Sequence, residues 1–195
     1  FHMDDGQEVR CGDVAFTAEG DAISLLSAER LALNFMQRMS GIATHTRRLV
    51  NLIEDTGARI LDTRKTTPLL RELEKYAVRI GGAQNHRMGL YDMIMIKDNH
   101  IDFAGGIPQA IHATQSYLSR KDKHLKIEIE VRNFKELNEV LECGGIDRIM
   151  LDNFRPDDLK EAIKRIDSRY ETEASGGINE ENIREYALSG IDYIS

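Results

Sequence analysis

Cysteine, long apolar runs and an excess of positive charge are all scarce in this chain, and each shortage removes a class of function. The two cysteines, Cys11 and Cys143, lie far apart without CxxC or Cys/His spacing. They read as free thiols of a reducing compartment rather than as a disulfide or metal pair. No apolar run approaches the ~18–20 residues that span a bilayer, and no signal peptide is visible. Acidic residues outnumber basic ones 33 to 26, for a net charge of −7, which argues against nucleic acid or an anionic membrane as partner. None of the six histidines stands in HxH or HExxH spacing, so no zinc site is expected. GxGxxG and Walker A loops are absent, as is the nucleophile elbow of Ser-His-Asp chemistry. The expectation is a soluble, cytoplasmic protein that handles small molecules.

At 195 residues and 41% hydrophobic composition, the chain can bury a full core and fits one domain plus part of another. Phe1 opens without an initiator methionine, and Tyr193-Ile-Ser195 stops inside an apparent strand. The chain is therefore expected to be an internal portion of a longer one. Residues 1–26 read as β structure, with turns at Asp5-Gly6 and Gly20-Asp21 around the short runs Val14-Ala-Phe16 and Ile23-Ser-Leu-Leu26. A long helix follows, with Ser27 as N-cap and Leu31, Phe35, Met39, Ile42 and Leu49 on one stripe. Gly41 inside that helix costs about 1 kcal/mol relative to alanine. It predicts close approach by a neighbouring element, within the chain or across a subunit interface.

From Arg59 onward, single strands alternate with helices. The strands are predicted at Arg59–Lys65, Met93–Lys97, Leu125–Val131, Arg148–Asn153 and Glu171–Ser175, with another beginning at Tyr193. The helices are predicted at Pro68–Ile80, 107–118, Phe134–Glu142, Pro156–Ile166 and Glu180–Leu188. Such βα units imply a parallel sheet. With no clear topological switch, the pattern favours an α/β barrel over a doubly wound sheet.

The carboxyl ends of barrel strands converge on one mouth, where chemistry sits. In this sequence those ends carry Arg64 and Lys65, Lys97 and Asp98, Glu128 and Glu130, Asp152 and Asn153, then Ser175, Gly176 and Gly177. Leu61-Asp-Thr-Arg-Lys-Thr-Thr-Pro68 stands out, because it sets two cations between a buried strand and a proline that would start a helix. Along Lys126–Val131, Ile127, Ile129 and Val131 face one way while Glu128 and Glu130 face the barrel interior. A buried carboxylate needs a cation or metal. That leaves a salt bridge to Lys97 or Lys126, or service to a ribose, a developing positive charge or Mg²⁺, with Asp152 alongside. Ser175-Gly-Gly177 suits a phosphate, held by backbone N–H groups and the dipole of the next helix. His86 and Arg87 precede the second strand and, with Arg64, Lys65 and Lys97, point to an anion pocket.

These residues, taken together, carry a resemblance. Glu29-Arg-Leu-Ala-Leu-Asn-Phe35, Ser40-Gly-Ile-Ala-Thr44, Leu61–Pro68, Asn85-His-Arg-Met-Gly-Leu-Tyr-Asp92, Ile96-Lys-Asp-Asn-His100, the Glu128/Glu130 strand, Met150-Leu-Asp-Asn153 and Glu173-Ala-Ser-Gly-Gly177 are similar to the quinolinate phosphoribosyltransferase family, in order and at family-like spacing. The resemblance implies an α/β sandwich domain, of which residues 1–26 would be the end, ahead of an incomplete, open α/β barrel over residues 27–195, in a homodimer or larger homo-oligomer. It also implies transfer of phosphoribosyl from PRPP to quinolinate with Mg²⁺ and loss of CO₂, giving nicotinate mononucleotide for NAD synthesis. By the same resemblance, Arg64, His86, Arg87 and Lys97 would bind quinolinate, with Arg30 lent across the dimer interface. Lys65 would face PRPP, Glu130 and Asp152 would serve the ribose and metal, and Ser175, Gly176 and Gly177 would hold the 5′-phosphate. The molybdate-operon paralogue of the family and a non-catalytic phosphometabolite binder are the rival readings. The cation set disfavours the first, and the carboxylates of Glu130 and Asp152 disfavour the second.

Overall fold

A computed structural model describes residues 1–195. Its elements are α1 (Ala22–Leu52), β1 (Arg59–Ile60), α2 (Arg71–Ile80), β2 (Ile94–Ile96), α3 (Asp98–Ala104), α4 (Ile107–Arg120), β3 (Ile127–Val131), α5 (Phe134–Cys143), β4 (Arg148–Asp152), α6 (Pro156–Ile166), β5 (Glu171–Ser175), α7 (Ile183–Ala187) and β6 (Tyr193–Ile194). All strand pairs are parallel, and the sheet runs β1-β6-β5-β4-β3-β2. The pairing of β1 with β6 instead of with β2 separates a barrel from a doubly wound sheet. The strands follow one another round a circle that stays open between β1 and β2.

The apolar layer lies between strands and helices. Ile129, Ile149 and Leu151 on the outward face meet Leu137, Val140, Leu159, Ala162 and Ile166, all fully buried. Each Leu or Ile buried this way contributes about 1.5–3 kcal/mol. The helices that supply them are short and amphipathic. Asn133 caps α5 by accepting from the Glu136 N–H, and α6 opens on Pro156 with Asp157 and Asp158 in its first turn, where acid complements the dipole.

Several expectations do not survive. Residues 1–20 hold no strand; beside two turn bonds, Gln7 N–H to the Asp4 carbonyl and Asp13 N–H to the Arg10 carbonyl, His2 N–H donates to the Ala15 carbonyl at 2.8 Å. Ile23–Leu26 is helical, because Asp21, not Ser27, caps α1 by accepting from the Ser24 N–H at 3.0 Å. The Ser27 hydroxyl instead donates back to the Ile23 carbonyl. Pro68 does not start a helix. The chain turns through Leu69, at φ 67, and α2 begins at Arg71. Of the two neighbours expected at Gly41, the one within the chain is absent, since nothing in the chain lies within 4 Å of a Cβ built there. The close approach is at Gly81, where a Cβ would meet the Thr46 side chain at 2.5 Å and the Ala43 carbonyl at 2.6 Å. There α2 crosses α1 and tolerates no side chain. α3 is an unanticipated helix; at its start the Lys97 N–H donates to His100 Nδ1 at 2.9 Å and the His100 N–H donates to the Lys97 carbonyl at 2.9 Å.

Candidate active site

Strand register stacks the inward side chains in layers. Glu128 pairs with Arg148 and Arg148 with Glu171; Met150 pairs with Glu173, and Asp152 with Ser175. In the lower layers a charged cluster forms. His86 Nε2 lies 2.8 Å from Glu128 and 3.3 Å from Glu173, and both glutamates are fully buried. Arg148 reaches Glu173 at 3.2 Å and Glu171 at 3.0 Å, with its guanidinium 4.1 Å over the Tyr193 ring. Two carboxylates, one guanidinium and one imidazole make a nearly neutral set, which is how buried charge becomes tolerable. The His86 contacts are close but angled away from hydrogen-bond geometry, so Nε2, both Glu128 oxygens and Glu173 Oε1 remain without a well-formed bond. Burial lowers the His86 pKa, yet the adjacent Glu128 and Glu173 carboxylates outweigh it and raise it to about 9. The raised pKa keeps a proton on Nε2, facing Glu128. Burial raises the Glu128 pKa. Burial works the same way on Glu173, but His86 overrides it and the Glu173 pKa is lowered.

Nearer the mouth the groups are less enclosed. Lys97 donates to Glu130 while its side chain stays 42% exposed. Burial, and after it the Arg64 charge, lowers the Arg87 pKa, and a bound anion would relieve that repulsion. Arg64 Nε is buried without a partner, and Arg87 makes only a 3.4 Å contact to the Met95 sulfur with its Nη2. Lys65 is exposed, and Arg30 lies on the exposed surface of α1. Asp152 accepts from the Asn153 side chain at 2.7 Å.

At the end of β5, Gly176 and Gly177 stand at φ 96 and 68. A Cβ on Gly176 would lie 2.3 Å from Asn153 Oδ1, so only glycine lets this turn close against β4. Consecutive left-handed residues aim backbone N–H groups into one concavity, a form that suits an anion. The expected help from a following helix is not there. α7 starts at Ile183, well past Gly177, and spans only five residues.

The strand-end residues are therefore gathered on one side of the sheet, with Arg30 outside the group. Sequence reasoning missed Glu173 and Arg148. The signal was available, since the same alternation that turned Glu128 inward also turns Glu173, Ser175 and Arg148 inward. The proposed salt bridges were half right: Lys97 holds Glu130, whereas Lys126 goes to Glu171 and the partner of Glu128 is His86.

The family model for the quinolinate phosphoribosyl transferase C-terminal domain matches residues 42–195, and the model for its N-terminal domain matches residues 1–40. The chain belongs to the quinolinate phosphoribosyltransferase family. It is 45% identical over its whole length to a probable nicotinate-nucleotide pyrophosphorylase (carboxylating) of Bacillus subtilis, of which it covers 66%. It is 43% identical to a mitochondrial quinolinate phosphoribosyltransferase (decarboxylating) of Nicotiana glauca, of which it covers 59%. The solved structure of NadC from Streptococcus pyogenes superposes at a TM-score of 0.92 with 41% identity, over 99% of this chain and 66% of that one. The nicotinate-nucleotide pyrophosphorylase of Pyrococcus furiosus, at 18% identity and a TM-score of 0.62, shares the fold. No helix of the chain is long and apolar enough to cross a membrane.

Proposed function

We propose that the full-length protein transfers the phosphoribosyl group of PRPP to the ring nitrogen of quinolinate and releases pyrophosphate and CO₂, giving nicotinate mononucleotide. Arg64, with a buried Nε lacking a partner, and Arg87, whose guanidinium contacts only the Met95 sulfur, are the observation that carries this reading. They provide bidentate donors for a dicarboxylate. His86 and Lys97 complete the quinolinate side, and Arg30 of a second copy would close it. The apolar side chains left exposed on α1, Leu26, Leu31, Phe35 and Met36, support such a homodimer. Two unpaired cysteines fit a reducing cytoplasm.

Charge dictates the sequence of events. Lys97 is tied to Glu130; a substrate carboxylate that takes Lys97 releases Glu130 towards the ribose. As the anomeric C–O bond loosens, Glu130 and Asp152 stabilise the oxocarbenium-like sugar, and Lys65 faces the departing pyrophosphate. Ser175, Gly176 and Gly177 hold the 5′-phosphate. Attack by the pyridine nitrogen leaves it quaternary, and that positive ring accepts the electron pair when the C2 carboxylate departs as CO₂. A proton then takes its place at C2. Glu130 and Asp152 offer oxygen ligands from neighbouring strands, and neither belongs to a group of three possible protein ligands. That donor set fits Mg²⁺ held mainly by substrate and water, and the ion would supply neutralisation of pyrophosphate charge.

The test is a reaction of the full-length protein with quinolinate, PRPP and Mg²⁺, following both products. Equal release of pyrophosphate and CO₂ is expected. Pyrophosphate without CO₂, or no turnover, would refute the assignment.

A further inference from the structure

The two segments that carry the anion-binding cations, residues 62–66 and 85–88, contain almost no regular structure, and they are joined to each other by one face of α2. Arg71 and Lys75 stand four residues apart, hence on the same side of that helix. The Arg71 fork donates to three acceptors on the two segments: the Arg64 carbonyl at 3.3 Å, the Thr66 hydroxyl at 3.2 Å and the Met88 carbonyl at 3.2 Å. Lys75, only 1% exposed, donates to Asp62 and to the His86 carbonyl, the latter at 3.1 Å. Asp62 closes the loop by accepting from the His86 N–H at 2.8 Å and from the Asn85 side chain at 2.6 Å.

We propose that Arg71 and Lys75 are positioning residues that staple the two anion-binding segments together and so set the spacing of Arg64, His86 and Arg87; this rests on the reading of those three as the quinolinate site. Backbone carbonyls of Arg64, His86 and Met88 are the atoms gripped, so the staple fixes the chain beneath each cation while leaving its side chain free for substrate. A planar, five-donor guanidinium can hold three acceptors in fixed directions. A lysine at position 71 would keep the charge without that geometry. Nothing in the staple touches the β5 turn at Gly176, so the 5′-phosphate cradle lies outside its reach, and of the PRPP side only Lys65 rides on a stapled segment.

Lys75→Ala would strand a buried Asp62 carboxylate and threatens the fold, so Arg71 is the informative position. In the full-length protein, Arg71→Ala and Arg71→Lys are compared with wild type below the melting temperature of all three. For both variants the quinolinate KM is expected to rise on the order of 10- to 100-fold, as a misplacement of about 1 Å can cost. The PRPP KM should rise clearly less, because only Lys65 of the PRPP-facing groups sits on a stapled segment. Hydrogen–deuterium exchange should rise together in residues 62–66 and 85–88 and stay unchanged at 175–177. Equal rises in both KM values, or faster exchange in one segment alone, would overturn the staple. If wild type fails to turn over quinolinate, the functional reading falls, and the exchange pattern still decides the staple by itself.

Discussion

Glu128 and Glu130 stand two residues apart on β3 and on the same face, yet they live under different physics. Glu128 is fully buried and shares its surroundings with His86, Glu173 and Arg148. Glu130 has one partner, Lys97, whose side chain is open to solvent. In the lower cluster every charge is fixed by another, so removing one leaves the rest unpaired in a low-dielectric interior. At the rim, an ion pair with a solvated member can exchange partners at little cost. One rise of two residues along a barrel strand thus separates a carboxylate locked in a buried cluster from one whose partner meets solvent.

Breaking the lower cluster should give the largest effect on the fold. Glu173→Ala is expected to destabilise the protein by about 3–5 kcal/mol, since it takes one of two carboxylate partners from both His86 and Arg148 in a buried cluster; denaturant unfolding measures it. A loss below about 1 kcal/mol, the range of an exposed pair, would erase the contrast. Glu130→Gln should do the reverse. Turnover falls on the order of 100-fold, the scale for losing one transition-state electrostatic contact, while the denaturation midpoint hardly moves. Unaltered kinetics would return Glu130 to the scaffold.

A smaller and graded effect comes from pH. His86 has its pKa raised from 6.5 to about 9, so its contribution is full below pH 6.5 and is lost as pH rises through about 9. Glu173 has its pKa lowered from 4.5, so its contribution is full above pH 4.5 and is lost on acidification. Between them the two groups favour maximum stability in the window from 4.5 to 6.5. Melting temperature across pH should show the alkaline decline in wild type and in Glu130→Gln, and a flatter profile in His86→Gln. An alkaline decline that persists in His86→Gln would assign it to other groups.

Much of the barrel was legible because βα alternation is written in strand and helix periods that do not depend on distant partners. The inward glutamates came from the same alternation. The first 26 residues misled, since short apolar runs between glycines look like strands whether or not a sheet exists to receive them. Asp21 decided otherwise by capping a helix through Ile23–Leu26. Pro68 misled similarly, as a proline suits the first helical turn and an ordinary turn equally well. Glu173 escaped notice because the glycines after it drew the reading to phosphate.

By itself the sequence determined which face of each strand a residue occupies and which strand ends carry charge, because a period of two is local to the chain. Only the tertiary structure decided the partners: His86 with Glu128 and Glu173, Lys97 with Glu130, and Arg71 across two loops. Pairing depends on register between strands and on where irregular segments are folded back, and these are fixed by the packing of the whole barrel rather than by any stretch of it.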